Sequence, residues 1–362
     1  MDHAGRLSRL RSEVEENNLD SLLVTHLPNI HYLCGFTGSA AALLVADRGS
    51  ILFTDGRYRT QAKEEVRNAR VVIARKSPLV AAAEWLAAQR RSSTAVSVGI
   101  EPESITAGMR DRLASVLKGK ARLRSAPLLV ERARMVKDAA EIQRIRWAVE
   151  LGASLFRTAC KKIRPGVTEL EVAAAMEYEA RCAGVEGMSF PTILAAGARS
   201  AIVHGRASST PIPRRGFVVC DFGVILAGYC SDRTRTVHVG RPSQEARELY
   251  QAVLEAQQAA ISAVRPGVTA GEVDSAARRV LRRRKLARYF THSTGHGLGL
   301  EIHEAPRLAA GQSQKLEPGM VVTIEPGAYV PGKWGVRIED VVVVTSSGCE
   351  VLTPADKELV IV

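Results

Sequence analysis

The stretch RPGVTELEV at 164–172 returns as RPGVTAGEV at 265–273, and a repeat of this kind restricts the fold more than composition does. Each copy follows an apolar helix end and precedes another helical pattern. Each half then offers an apolar strand that runs into a carboxylate, VVCDFG at 218–223 and VTIEPG at 322–327. The offsets agree: 101 residues between the RPGVT copies and 104 between Asp221 and Glu325. A second acid follows in each half, Asp232 eleven residues past Asp221 and Glu339 fourteen past Glu325. Those spacings predict two turn-linked strand pairs with their acids side by side. Two such hairpins related by a pseudo-two-fold axis would make a cage of four carboxylates.

Carboxylates at the ends of buried strands are costly to leave unpaired, and neighbouring ones cannot all ionise without compensating charge. Two divalent cations would supply it. A histidine-rich segment, THSTGHGLGLEIHE at 291–304, offers further ligands in His292, His296 and His303. His292 and His296 stand four residues apart, but the glycine-rich segment around them does not read as a zinc-binding helix; Gly295, Gly297 and Gly299 instead let an extended backbone turn tightly. A duplicated sheet with acids capping its turns would account for one or two carboxylates. It does not account for acids in both copies beside a three-histidine loop. Carboxylate-rich coordination favours Mn²⁺, and the imidazole is compatible with Co²⁺ or Zn²⁺.

The chain has 362 residues, enough for two domains and a sizeable core. Its net charge of +12 raises the question of nucleic acid. The densest basic run, RRVLRRRKLAR at 278–288, is interleaved with Ala276, Ala277, Val280 and Leu281 at helical spacing, which marks a solvated helix face. Aromatic residues make up only 5% and none forms a stacking platform there. The six cysteines show no C-x-x-C pair, a pattern of free thiols in a reducing compartment. The first twenty residues read as a charged amphipathic helix with Leu7, Leu10 and Val14 on one side, without a signal-type apolar region. The expectation is a cytoplasmic protein with no membrane partner.

Along residues 1–130, strand-like runs at 21–25, 41–46, 50–54, 71–74 and 96–100 alternate with helical segments after Asp55, near 78–90 and near 104–118. That alternation implies a small α/β domain. Pro28, Gly35 and Gly38 mark turns, and His26 and His31 take structural roles. The alternation stops around Pro127–Met135, so residues 131–362 form a second domain. It opens on a long helix from Asp138 to about Ile163, with Ile142, Ile145, Val149, Gly152, Phe156, Ala159 and Ile163 on one stripe.

Together, AIVHG (201–205), CDFGVILAGYCSDRTRTV (220–237), HSTGHGLGLEIHEAP (292–306), TIEPGAY (323–329) and GVRIEDVVVVT (335–345) resemble the pita-bread metallopeptidases, specifically the proline-peptidase branch of aminopeptidase P and prolidase. NIHYLCGFTGS and FTDGRYRTQA resemble the creatinase-like amino-terminal domain of that branch, so the likeness covers nearly the whole chain. The implied fold is an α/β N-terminal domain followed by an α+β pita-bread domain with an internal pseudo-two-fold repeat.

The resemblance implies that Asp221, Asp232, His296, Glu325 and Glu339 are the five ligands of two divalent metal ions, with Asp232 and Glu339 bridging. A complete ligand set separates the chain from relatives that keep the fold as scaffolds or nucleic-acid binders. His204, His303, Glu325 and Arg337 match catalytic positions, and His292 and Tyr329 match substrate-binding positions. Arg337 has a purely structural alternative, a salt bridge on the face it shares with Glu339. The implied reaction is attack by a metal-bridging hydroxide on the carbonyl preceding a proline, with Glu325 handling the proton and His303 and His204 steadying the oxyanion. The amino-terminal motifs weigh toward an Xaa-Pro aminopeptidase; the alternative is an Xaa-Pro dipeptidase (prolidase). The expected partners are proline-containing peptides and a second copy of the chain in a homodimer.

Overall fold

A computed structural model describes residues 1–88, 96–353 and 357–362. The chain divides into two compact units, Met1–Arg134 and Met135–Val362.

The first unit is built on a mixed six-stranded sheet. In chain order its elements are α1 (His3–Glu16), β1 (Ser21–Val24), α2 (Leu27–Cys34), β2 (Ala41–Ala46), β3 (Gly49–Asp55), α3 (Arg59–Glu65), β4 (Arg70–Ala74), α4 (Pro78–Ala88), β5 (Val96–Ile100), α5 (Ala107–Leu117) and β6 (Ala121–Ser125). The strand order is β4-β3-β2-β1-β5-β6. Leu23, Leu44, Phe53, Val98 and Ile100 of the sheet pack with Ala82 and Ala83 of α4 and Leu113 and Leu117 of α5.

Three expectations are corrected here. Pro28 opens the helix α2 where a turn was expected, because proline's fixed φ and missing N–H suit a first helical turn. Gly35 then ends that helix in the left-handed region at φ 82. Strand β6 escaped the sequence reading because ARLRS is an edge strand with an exposed, charged face. The first unit also runs past residue 130: α6 (Leu129–Met135) buries Leu129 and Val130, and Arg134 donates from Nη1 to Asn29 Oδ1 at 2.7 Å. The helix expected near 78–90 is described as far as Ala88; its last two positions lie outside the described residues.

In the second unit the sequence repeat becomes a structural one. Its first half comprises α7 (Ala139–Lys162), α8 (Glu169–Cys182), β7 (Gly187–Met188), β8 (Ile193–Ala196), β9 (Gly216–Phe222), β10 (Val224–Leu226), β11 (Tyr229–Cys230) and β12 (Arg233–Val239). The second half comprises α9 (Gln244–Ala263), α10 (Ala270–Arg283), β13 (Gly295–Gly297), β14 (Glu304–Leu308), β15 (Val321–Ile324), β16 (Gly327–Val330), β17 (Trp334–Arg337), β18 (Asp340–Val344) and β19 (Cys349–Val351).

The RPGVT motif has one job in both halves. Gly166 and Gly267 adopt φ 89 and 83, which only glycine takes cheaply. Thr168 and Thr269 then cap α8 and α10 through capping boxes with Glu171 and Glu272. Each turn is pinned to its own half, Gly166 N–H to Ile212 O at 2.9 Å and Gly267 N–H to Leu316 O at 2.8 Å.

The helices α7 and α8 cover Val218, Cys220, Phe222 and Val237 of the first half, and α9 and α10 cover Val322, Ile324, Val342 and Val344 of the second. The strand orders are β12-β9-β8 and β14-β13-β15-β18-β19. The halves meet where β12 passes β18. There Glu339 N–H donates to Thr234 O at 3.1 Å, and a buried Arg235–Asp340 ion pair closes at 2.7 Å.

The hairpins are more elaborate than the spacing suggested. Strands β9 and β12 pair directly, as do β15 and β18, but a smaller hairpin splits off between the members of each pair: β10–β11 in one, β16–β17 in the other. Asp232, Glu325 and Glu339 lie just outside the paired strands at these departures, while Asp221 stays in the ladder opposite Thr234 and Ile193, one residue from the end of β9. Among the described residues no helix is long and apolar enough to cross a membrane.

Gly223 and Gly295 give the closest backbone approaches near these acids, Gly223 against Ser231 O and Gly295 against Thr323 O. A Cβ built at Gly295 would sit 1.9 Å from Thr323 O, so only glycine lets β13 lie against β15. The substitution Gly295→Ala is expected to cost about 1–3 kcal/mol of stability in urea denaturation, because a rigid backbone must move to admit one methyl group. An unchanged midpoint would show that β13 is held less tightly than this contact implies.

Candidate metal centre and active site

Asp221 projects from β9, Asp232 immediately precedes β12, Glu325 immediately follows β15, Glu339 immediately precedes β18, and His296 sits on β13. The structure brings all five to one place. Oxygens of Asp221, Asp232 and Glu339, all three buried, lie within 4.8 Å of one another. His296 Nε2 lies 3.6 Å from Asp232 Oδ2 and 3.4 Å from Glu325 Oε1.

The electrostatics of this cluster are severe. Burial, then the charge of Glu339 and its neighbours, pushes the Asp232 carboxyl well above its ordinary range. Glu339 is raised likewise, by burial first and by Glu325 and Asp221 after it. Burial pushes Glu325 up to about 8. Asp221 Oδ1 and Glu339 Oε1 are buried and make no hydrogen bond. Orphaned carboxylate oxygens beside other acids are what a cation site leaves when only the protein's own atoms are counted.

The imidazole is oriented for the same purpose. His296 Nδ1 donates to Gly297 O at 3.0 Å, which leaves the Nε2 lone pair facing the acids. Burial lowers its pKa to about 4, so the ring is neutral. The donor set therefore fits divalent cations: four carboxylates and one neutral imidazole, with unpaired oxygens turned to a common point.

The surrounding side chains lock these groups. Thr234 Oγ1 donates to Glu339 Oε2 at 2.7 Å, and Thr323 Oγ1 reaches Glu325 Oε1 at 3.3 Å. Arg337 is buried and makes the salt bridge that its strand position allowed, though its partner is Asp221 of the other half. The same guanidinium donates to Thr234 Oγ1 at 3.0 Å, Val203 O at 3.1 Å and the Tyr329 hydroxyl at 2.7 Å. Tyr329 in turn lies 2.9 Å from His292 Nε2. His292 Nδ1 donates to Ser293 O at 2.8 Å, so Nε2 accepts the phenol proton. Burial lowers the His292 pKa to about 3 and raises that of Tyr329 to about 12, so both stay neutral.

His303 stands at the edge of the cluster, its ring 4.4 Å from that of His296. His204 occupies an exposed loop just after Val203 and is close enough for its charge to help lower the pKa of both His303 and His292. The structure thus gathers His204, His292, His303, Tyr329 and Arg337 around the acids.

Several residues that build the site escaped the sequence reading. Asp274, fully buried on α10, accepts from Thr294 Oγ1 at 2.8 Å and from Thr294 N at 3.2 Å. Arg278, one turn on, pairs with Asp274 at 2.7 Å and donates to Phe290 O and His292 O. This corrects the view of the basic run as wholly solvated: its first member turns inward and holds the histidine loop, while Arg279, Arg282, Arg283 and Arg284 remain exposed. The available signal was an acid on the apolar face of an amphipathic helix.

Glu169 does the same for the His204 loop, accepting from Ala196 N, Arg199 Nε and Ser208 N and Oγ. Lys137 and Glu304 form a buried ion pair at 3.0 Å that ties down the segment behind His303.

The chain belongs to metallopeptidase family M24, whose model matches residues 143–346, and residues 6–136 match the Creatinase/Prolidase N-terminal domain. It is an enzyme that hydrolyses peptide bonds, a creatinase-type amino-terminal domain followed by a pita-bread domain, in a family that uses divalent metals.

Among its relatives, the Xaa-Pro dipeptidase of Pyrococcus horikoshii is 35% identical over 359 residues, covering 98% of both chains. The structure of an Xaa-Pro dipeptidase from Bacillus anthracis superposes with a TM-score of 0.95 at 38% identity, over 99% of this chain and 100% of that one. The X-Pro aminopeptidase of Thermotoga maritima gives 0.89 at 35% identity, over 99% and 100%.

The raised carboxyls set a pH dependence. A group with a higher pKa folded than unfolded binds more protons in the native state, so stability falls as pH rises between the two values. For Glu325 that window runs from the ordinary carboxylate value near 4.3 to about 8. Metal-stripped protein is therefore expected to lose melting temperature from pH 5 to pH 8, and added Mn²⁺ to restore more of it at pH 8, where protons no longer compete. A stripped protein whose melting temperature climbs over this range would contradict the raised carboxyls of this cluster.

Proposed function

We propose that the protein is an Xaa-Pro dipeptidase. The observation that carries this reading is full-length similarity to proteins named Xaa-Pro dipeptidase, together with the cluster of Asp221, Asp232 and Glu339 that has His296 and Glu325 beside it. The amino-terminal motifs that weighed toward an aminopeptidase do not discriminate, since one Creatinase/Prolidase N-terminal model spans residues 6–136. The aminopeptidase reading keeps the support of the Thermotoga maritima structure and stands second.

In the proposed site Asp221, Asp232, His296, Glu325 and Glu339 hold two divalent ions, with Mn²⁺ favoured by the oxygen-rich set and Co²⁺ or Zn²⁺ compatible with the imidazole. When bound, such ions lower the pKa of water and polarise a carbonyl. The remaining work falls to side chains. Glu325, beside His296, takes the proton of the attacking water at its carboxylate and passes it to the departing proline nitrogen. His303 and His204 donate to the carbonyl oxygen as charge builds on it. Arg337 fixes Asp221 and the Tyr329 hydroxyl, and Tyr329 fixes His292, so the wall the substrate meets is preorganised.

A panel of Xaa-Pro and Xaa-Pro-Yaa peptides with Mn²⁺, Co²⁺ and Zn²⁺ tests the assignment. A dipeptidase is expected to prefer Met-Pro over Met-Pro-Ala by ~100-fold or more in kcat/KM, about 2.7 kcal/mol of transition-state discrimination. Comparable rates on the tripeptide would return the assignment to aminopeptidase, and no metal-dependent cleavage of either would overturn both.

We also propose a cytoplasmic homodimer. The six cysteines, all among the described residues and all free thiols, support the reducing compartment. Light scattering at micromolar concentration is expected to return twice the mass of the 39.1 kDa chain, and a monomeric mass would reject the dimer.

A further inference from the structure

At the other end of β9 from Asp221, Gly216 and Phe217 open onto a cavity of about 620 Å³. None of Asp221, Asp232, His296, Glu325 and Glu339 lines it. Its wall is unusually aromatic for a chain with 5% aromatic residues: Phe217 meets His238 edge to face with ring centres at 5.0 Å, and Trp334 at 5.9 Å.

The lining carries three cations, Arg199, Arg215 and Lys333, and no carboxylate. Two of these are balanced from behind, Arg199 by Glu169 at 3.1 Å and Lys333 by Glu245 at 2.5 Å. Arg215 is exposed and, among the described residues, makes no ion pair or hydrogen bond, so the cavity keeps one positive charge without a protein partner.

His238 adds a second unsatisfied group. Only 2% of it is exposed, and its Nδ1 lies 2.8 Å from Gly240 O. The carbonyl can only accept, so Nδ1 carries the proton and Nε2 is an acceptor with no protein partner. A nearly buried imidazole nitrogen without a partner, in a cavity wall, is a site for a ligand's donor.

We propose that this cavity is a second ligand site, separate from the metal centre, for a small planar aromatic molecule that bears an N–H donor and a single carboxylate or phosphate. Trp334, half-buried, supplies the contact surface for an aromatic system, and the buried rings of Phe217 and His238 back it. Arg215 pairs with the anionic group through its forked N–H donors. His238 Nε2 accepts the ring N–H.

The cavity also touches the catalytic loop. Gly197, Ala198 and Arg199 line it, Ser200 Oγ accepts from Gly335 N at 2.8 Å, and Val203 O accepts from Arg337. An occupant therefore contacts one end of a segment whose other end carries His204.

The test uses the full-length protein with Mn²⁺ and three probes: indole-3-acetate for the carboxylate, adenosine monophosphate for the phosphate, and tryptamine as a ring with the opposite charge. Calorimetry and ligand-observed NMR are expected to show saturable binding of at least one anion and none of tryptamine; which anion binds identifies the head group. Arg215→Glu, at an exposed position, is expected to weaken that binding about tenfold, equivalent to about 1.4 kcal/mol. The active-site variant Glu325→Gln is expected to leave it unchanged, which separates this cavity from anion capture at the metal centre. The proposal is overturned if neither anion saturates, if tryptamine binds as well, if Arg215→Glu has no effect, or if Glu325→Gln abolishes binding.

Discussion

The second unit is organised around one costly arrangement: three buried carboxylates, with Glu325 beside them, gathered across the boundary between two repeats. Left to themselves, Asp232, Glu325 and Glu339 would hold protons, because burial and mutual repulsion oppose ionisation. Divalent cations, which this family uses, would reverse that preference. The fold bears the cost of bringing these acids together, and perturbed groups of this kind cluster where chemistry is done.

The duplication explains how one chain can deliver the acids symmetrically. Each half contributes a pair of strands from which a smaller hairpin departs, and each departure has two acids at or beside it. The halves are joined directly at this point. Glu339 of one half bonds to Thr234 of the other through both backbone and side chain, and Arg337 of one half clamps Asp221 of the other. The contacts that hold the halves together are thus the contacts that set the geometry of the site, so its precision does not depend on the loops alone.

The histidines are carried by two segments, each tied to a helix by a buried acid. Asp274 of α10 holds the loop of His292 and His296, and Glu169 of α8 holds the loop of His204. Both acids sit on helices that the RPGVT motif begins. The repeat therefore accounts for the helices that orient the histidines as well as for the metal-facing strands.

Much of this was legible in the chain. The repeat, the four acids at strand ends and the glycine-spaced histidines are local patterns, and local patterns survive in one dimension because strand and turn geometry depend on near neighbours. Helix α7 and its capping residue Asp138 were readable for the same reason. The partners of those residues were not. Nothing in the sequence near Arg337 announces Asp221, 116 positions away, and nothing near Thr294 announces Asp274 on another element. The branching of each hairpin was equally hidden, since a spacing of eleven or fourteen residues suits a simple turn as well as a split one. The sequence by itself determined which side chains were available and that they came in duplicate. Only the tertiary structure decided which oxygens were left without partners, because satisfaction of a buried polar group depends on every atom that packs around it.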